Sequence, residues 1–220
     1  MSQEEGLLDF FSKFRTLHFR RGETIIRAGE NPSGVFYLSK GYVRLYALSK
    51  DGQKFSLIIF KTGDIFPLTW SLANIKTEYF VEAMTPCLIF RADKRSFVNL
   101  LKNQPQVYQE ITEGILARLY GLLKRMEYMA FGNAYSKICS ILLICADRFG
   151  VIDGAGILIQ VPLTHEDIAS LVGVTRETAS IELKKLEVIG AIRKKKRLLQ
   201  IAKIQLLKKG SQAEIDDVRI

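Results

Sequence analysis

The sequence predicts an α+β chain in three segments: a β-roll with flanking short helices over residues 1–103, a long helix over 104–131 and a winged helix-turn-helix over 132–220. Three observations predict it. From His18 to Ala92, short runs rich in β-branched and aromatic residues are cut by glycines at 22, 29, 41, 52 and 63, the texture of many short strands joined by turns. Tyr108, Thr112, Ile115, Leu119, Leu122, Met126 and Met129 then alternate at spacings of four and three, the period of a helical seam. Residues 164–186 read as two short helices about Gly173, and a hairpin with a basic tip follows.

Taken in order, Leu7, Leu8, Phe10, Phe11, Phe14 and Leu17 predict an amphipathic helix over residues 7–17. Strands are expected at 34–38, 42–46 and 55–60, with Asp51-Gly52 as a hairpin turn because both residues tolerate positive φ. A last strand at 87–91 passes into a helix capped by Asp93. The seam helix has glycine only at 114 and 121, and Ile115, Leu119, Leu122, Met126 and Met129 are its candidate homodimer contacts. The alternative for the same pattern is a helix buried against its own domain. Residues 134–149 predict a further amphipathic helix, and Asp153-Gly154 predicts a small hairpin before Pro162.

Composition excludes several functions. At 220 residues the chain can bury a real core and has room for two domains of roughly 100 to 130 residues. Cys87, Cys139 and Cys145 lack metal-ligand spacing and are expected as buried thiols. With His18 and His165 as its only histidines, the chain offers no cluster for a metal or for histidine-based catalysis. No enzyme activity and no metal site are therefore expected. Residues 1–6 have no basic segment leading into an apolar run, and the longest apolar stretch, 138–146, is far short of a membrane span, so the expected location is the cytoplasm. The formal net charge of +9 is concentrated: residues 176–209 hold eleven basic and three acidic side chains, a local excess of +8. Charge gathered in this way suits phosphates.

Within residues 164–186, Thr164 is placed to cap the first helix with Asp167 at capping-box distance, and Ile168, Ala169, Leu171 and Val172 supply its inner face. Gly173 makes the turn, Val174 plugs the angle and Thr175 caps the second helix, in which Ala179, Leu183 and Leu186 point inward. Arg176, Glu177, Ser180, Ile181 and Lys184 then face out, with polar readers near the helix start and cations for phosphates, as a major groove requires. Thr164, His165 and Thr178, together with Thr175, complete the candidate contacts at the two helix starts, and Lys194, Lys195, Lys196 and Arg197 form the basic tip of the wing. A plain αα-hairpin with a solvated charged face is the alternative. The partner this surface predicts is double-stranded DNA.

These residues resemble the cyclic AMP receptor protein / fumarate-nitrate regulator (Crp/Fnr) superfamily over nearly the whole length. Arg21-Gly-Glu-Thr-Ile-Ile-Arg-Ala-Gly29, Val35-Phe-Tyr-Leu-Ser-Lys-Gly-Tyr-Val-Arg44, Asp51-Gly52 and Gly63-Asp-Ile-Phe66 are similar to the family's cyclic nucleotide-binding-like β-roll. Val174-Thr-Arg-Glu-Thr-Ala-Ser180 is similar to the start of its recognition helix. The resemblance implies a homodimeric transcription regulator on a pseudo-palindromic operator, with RNA polymerase as a further partner. It also implies that Arg176 and Glu177 contact DNA, Glu177 accepting from a cytosine amino group, with Ser180 as a secondary reader. Ile181 departs from the arginine that many relatives carry there; it can pack on a thymine methyl but cannot bind guanine through two hydrogen bonds.

The nucleotide cassette departs further. Nucleotide-binding relatives have a Phe-Gly-Glu segment whose carboxylate holds the ribose, and an arginine that binds the cyclic phosphate. Here the first segment is Phe66-Pro67-Leu68 and the arginine position aligns with Thr77, followed by Glu78. Lys76 lacks the planar fork of arginine, and Glu78 would repel a phosphate. No cofactor is expected, and cyclic AMP is disfavoured. The candidate lining for an uncharged small-molecule effector is Phe66, Leu68, Trp70, Thr77 and Tyr79 with Tyr120, Leu123 and Lys124 of the long helix. A filled core without effector, or a nucleotide in an atypical pocket, are the alternatives.

Overall fold

The computed structural model describes residues 3–211. Met1 and Ser2, and the last nine positions of the predicted carboxy-terminal segment, lie outside the described residues. The chain divides into two compact units, Met1–Ala117 and Arg118–Ile220.

The first unit runs α1 (Gln3–Ser12), β1 (Arg15–Phe19), β2 (Thr24–Ile26), β3 (Val35–Lys40), β4 (Val43–Leu48), β5 (Lys54–Phe60), β6 (Ile65–Phe66), α2 (Leu68–Ala73), β7 (Phe80–Ala83), β8 (Cys87–Ala92), α3 (Lys94–Asn103) and the start of α4 (Pro105–Phe131). Its strands form two antiparallel four-stranded sheets, ordered β1-β8-β3-β6 and β2-β7-β4-β5. Side-chain alternation on β3 shows how the layers divide. Phe36 and Leu38 join Val43, Phe60, Phe66, Val81 and Ile89 in one buried cluster shared by the two sheets. Val35 and Tyr37 point the other way, into a second cluster with Phe11 of α1 and Phe97 of α3. The Phe11 ring stacks on Tyr37 at 5.3 Å, so the short helices seal the back of one sheet.

Three sequence expectations change here. The first helix ends at Ser12 rather than residue 17, because β1 pairs with β8 and places Leu17 opposite Ile89. Leu17 and Phe19 are half-buried around an exposed His18, so the apolar spacing that looked helical there belongs to a strand. At Asp51-Gly52 the β4–β5 connection is longer than a two-residue turn, and only Gly52 is left-handed, at φ 78°. The helix α2 was not anticipated. The Asp93 cap is present, its carboxylate accepting from Ser96 N–H at 2.8 Å.

The second unit contains the rest of α4, then α5 (Ala134–Phe149), β9 (Gly150–Asp153), β10 (Gly156–Ile159), α6 (His165–Val172), α7 (Arg176–Val188), β11 (Ile192–Lys195), β12 (Leu198–Ile201) and α8 (Ile204–Gly210). Asn133 caps α5 through Ser136 N–H at 2.9 Å. Ten of the sixteen α5 residues are buried, so this helix is the unit's central post rather than a surface amphipath. The two hairpins are one sheet, β11-β12-β10-β9, joined where Ile157 lies opposite Ile201. Gly150 links post and sheet: a Cβ there would lie 2.1 Å from the Ala146 carbonyl oxygen and 2.6 Å from the Ile157 side chain. All three cysteines are buried free thiols. Among the described residues, no helix is long and apolar enough to cross a membrane.

Candidate nucleic-acid interface

The helix-turn-helix is built by local chemistry. Thr164 and Asp167 form a full capping box: Thr164 N–H donates to the Asp167 carboxylate at 2.8 Å, and Asp167 N–H donates to Thr164 Oγ1 at 3.1 Å. Ile168, Ala169, Leu171 and Val172 are buried, as their spacing predicts. Gly173 adopts φ 69° and ψ 38°, and its N–H donates to the Ala169 carbonyl, closing α6 in a conformation other residues adopt at a cost. Thr175 then accepts from Thr178 N–H at 3.2 Å and starts α7. Ala179, Leu183 and Leu186 are buried against the rest of the unit.

The opposite face of α7 is open. Arg176, Glu177 and Lys184 are exposed, Ile181 is 58% exposed, and Ser180 is half-buried. Ser180 is also engaged: its Oγ lies 2.8 Å from Nδ1 of His165 at the start of α6. The hydroxyls of Thr164, Thr175 and Thr178 are likewise committed, Thr164 Oγ1 to Asp167 at 2.6 Å and the other two to each other at 3.0 Å. His165 is held below the ordinary histidine range by burial first and then by the charges of Lys194 and Arg176, against an opposing pull from Glu187. The wing strand and both helix starts thus converge electrostatically on one imidazole.

The wing presents its cations on a two-residue turn, Lys196-Arg197, with Lys196 in the left-handed region at φ 57°. Lys194, Lys196 and Arg197 are exposed. Lys195 is not equivalent to them: its ammonium sits 2.5 Å from the Asp153 carboxylate on β9. Arg193 is exposed but also engaged, its Nε donating to Gln200 Oε1 at 2.6 Å. Sequence reasoning missed Asp153 because its only local signal was the turn with Gly154. It missed Arg125 as well. That residue of α4 is buried, its guanidinium donates to the Leu171 carbonyl at the end of α6, and burial lowers its pKa to about 10.

The α4 residues chosen for a dimer seam carry an apolar stripe. Tyr108, Ile115, Leu119 and Met126 are exposed, and Leu122 and Met129 are half-buried. Tyr120 and Leu123 are exposed on the same helix, and Lys124 lies 3.5 Å from Glu127.

The proposed effector lining is not brought together in the roll. Phe66 is buried between Phe36 and Phe60, at ring distances of 5.6 and 4.9 Å, in the cluster between the sheets. Leu68 and Trp70 pack on the other cluster, behind the first sheet, with the Lys94 ammonium 4.7 Å over the indole. The reason is strand alternation: Ile65 and Phe66 of β6 already face opposite sides, and α2 then folds back along the outer one. Tyr79 is exposed, whereas Thr77 is buried and its hydroxyl has no hydrogen-bond partner among the described residues.

Comparison with known proteins gives the same order of parts. The cyclic nucleotide-binding domain family matches residues 16–104, and the Crp-like helix-turn-helix domain family matches residues 136–209, together well over half of the chain. The chain belongs to the Crp/Fnr superfamily. As a Crp/Fnr protein it is a DNA-binding transcription regulator and not an enzyme. It is 28% identical to the global nitrogen regulator of a Nostoc species over 90% of each chain. It is 26% identical to the cAMP-activated global transcriptional regulator CRP of Pasteurella multocida, over 82% of this chain and 87% of that one. Its fold is similar to that of a CooA mutant from Carboxydothermus hydrogenoformans, with a TM-score of 0.78, 24% identity and coverage of 94% of this chain and 95% of that one.

Proposed function

We propose that this Crp/Fnr regulator works as a homodimer. Its two α4 helices pair along the apolar stripe and set two α7 helices into successive major grooves of a pseudo-palindrome, about 34 Å apart. The stripe is the observation that carries this. Tyr108 is 53% exposed, Ile115 37%, Leu119 50% and Met126 66%, all on one 27-residue helix. Such a row costs free energy in water, and a second copy laying the same row against it relieves that cost. Arg176, Glu177 and Ser180 then meet base edges, while Lys194, Lys196 and Arg197 meet phosphates.

The residues of the roll do not fit a cyclic nucleotide. Leu68, packed behind the first sheet, stands at the position of the carboxylate that would hold the ribose, and Thr77 supplies a hydroxyl in place of a guanidinium. On this proposal any effector of the roll is uncharged and meets the buried Thr77 hydroxyl. Selection of random duplex DNA by the purified protein, followed by sedimentation of the complex, tests the proposal. The expected result is enrichment of an inverted repeat bound by two copies; an unrelated pool, or a bound monomer, overturns it. In the same preparation cyclic AMP is expected to leave the melting temperature unchanged, and a saturable rise would overturn the effector assignment.

A further inference from the structure

The contact between His165 and Ser180 joins the first helix of the helix-turn-helix to the base-reading face of the second. Both residues are half-buried, one at the start of α6 and the other one turn into α7, and His165 Nδ1 lies 2.8 Å from Ser180 Oγ. A serine hydroxyl has one proton and two lone pairs, so what it offers outward depends on what it does inward. We propose that His165 is a positioning residue that sets the hydrogen-bond polarity of Ser180, and through it the base that Ser180 selects. This rests on the DNA-reading role assigned to α7 above.

With a neutral ring, the imidazole nitrogen is a far stronger acceptor than an alcohol oxygen, so the Ser180 proton points to Nδ1 and the ring carries its own proton on Nε2. Only lone pairs of Ser180 then face the groove. Such an oxygen pairs with an amino group, which in the major groove means cytosine or adenine. Protonating the ring reverses the arrangement. Nδ1–H now donates to Ser180 Oγ, the hydroxyl proton turns outward, and the same side chain favours the acceptors of guanine or thymine. Ser180 thus becomes a reader whose preferred partner changes with one proton fifteen residues away in sequence.

The surroundings of the ring fix the direction of the pH dependence. Burial, Lys194 of β11 and Arg176 of α7 all disfavour the charged ring, and Glu187 of α7 favours it. On α6 itself, Glu166 is exposed, and the Asp167 carboxylate is committed to Thr164. The net effect keeps His165 neutral at and above neutral pH, and charges it as pH falls through and below the ordinary histidine range. A phosphate bound by Lys194 offsets one of the opposing charges, so in the complex the transition moves upward toward neutrality.

The test starts from the duplex pool enriched by the wild-type protein at about pH 8, where the ring is neutral. The base pair facing Ser180 is the one whose preference disappears in Ser180→Ala. All four pairs at that position are then compared by fluorescence anisotropy at about pH 8 and about pH 5.5. At the higher pH the wild type is expected to favour, by about three- to tenfold, the range of one hydrogen bond, the pair orientation that places cytosine or adenine rather than guanine or thymine where Ser180 faces. At the lower pH that ratio is expected to fall at least about threefold or to reverse. His165→Phe, which keeps a ring but no nitrogen, should show one profile at both pH values. His165→Asn, which accepts but does not titrate, should keep the high-pH preference throughout. A wild-type profile independent of pH, or a pH dependence that survives in His165→Phe, overturns the proposal while leaving DNA binding intact. A pool with no enrichment at any pH overturns the DNA-reading role and this inference together.

Discussion

Removing a negative charge from β9 should strengthen DNA binding, although Asp153 lies outside the helix-turn-helix. The Asp153 carboxylate holds the Lys195 ammonium at 2.5 Å, and the lysine side chain is still 51% exposed. Lys195 is therefore at the surface but already paired, whereas Lys194, Lys196 and Arg197 are open to phosphate. In Asp153→Asn the amide keeps the shape, and the backbone carbonyl at that position still accepts from Gln200 Nε2 at 2.7 Å. What changes is one unit of charge at each wing. If the released ammonium takes a phosphate, the slope of log K against log salt steepens by up to about 0.9 per wing, or nearly about 2 for a dimer. Lowering salt from 200 to 50 mM would then yield about 3.5-fold more affinity per wing than in the wild type. The fold should tolerate this, since an exposed ion pair contributes about 0 to 1 kcal/mol. Fluorescence anisotropy titrations over that salt range give the slope, and thermal melting supplies the control. An unchanged or shallower slope at unaltered melting temperature would refute the placement of the wing against DNA. Lys195→Gln, in turn, should lose less slope than Lys194→Gln.

Three further outcomes test other parts of the molecule. Leu119 is 50% exposed, so truncating it in both copies should remove about 2 kcal/mol of interface, weakening dimerisation about 30-fold in sedimentation equilibrium while sparing the monomer's melting temperature; an unaltered association constant would exclude this face. Glu82, buried in the roll, accepts from Arg44 at 2.6 Å and Lys54 at 2.8 Å; burial alone would raise its carboxyl, but these two bonds outweigh it and hold it below the usual range. Because the folded-state value is the lower one, this stabilisation is present above the unfolded carboxylate range and lost as pH falls through it. Glu82→Gln should cost about 3 kcal/mol near neutrality and flatten the acid limb of a denaturation series between about pH 5 and 3, which chemical unfolding at stepped pH measures. Ile181→Arg, at an exposed position beside Ser180, should create a guanine preference of about tenfold in the selected pool; an unchanged consensus would place that side chain away from the bases.

Legibility followed chain distance. The capping box of Thr164 and Asp167, the left-handed Gly173, the inward set Ala179, Leu183 and Leu186, and the Asp93 cap are all relations within one or two helical turns, and each stands in the structure as read. Local relations of this kind depend on backbone geometry that every helix shares. Errors arose where local patterns were degenerate. Leu17 satisfies a helical period and a strand period equally, and pairing with β8 decided between them. The apolar run from Ile65 to Trp70 has no clear period, so its division between two cores could not be read from it.

The sequence by itself determined the succession of strand-rich roll, long helix and helix-turn-helix, the faces that α6 and α7 turn inward, and the concentration of positive charge near the carboxy end. Those follow from periodicity and composition, which need no knowledge of neighbours. Only the tertiary structure decided which polar groups meet: Ser180 with His165, Lys195 with Asp153 across 42 residues, Arg125 with the end of α6. A side chain's type states what it can bond to, but its partner is set by how elements pack. That packing fixes which of the outward-facing groups remain free to meet DNA and which are already engaged.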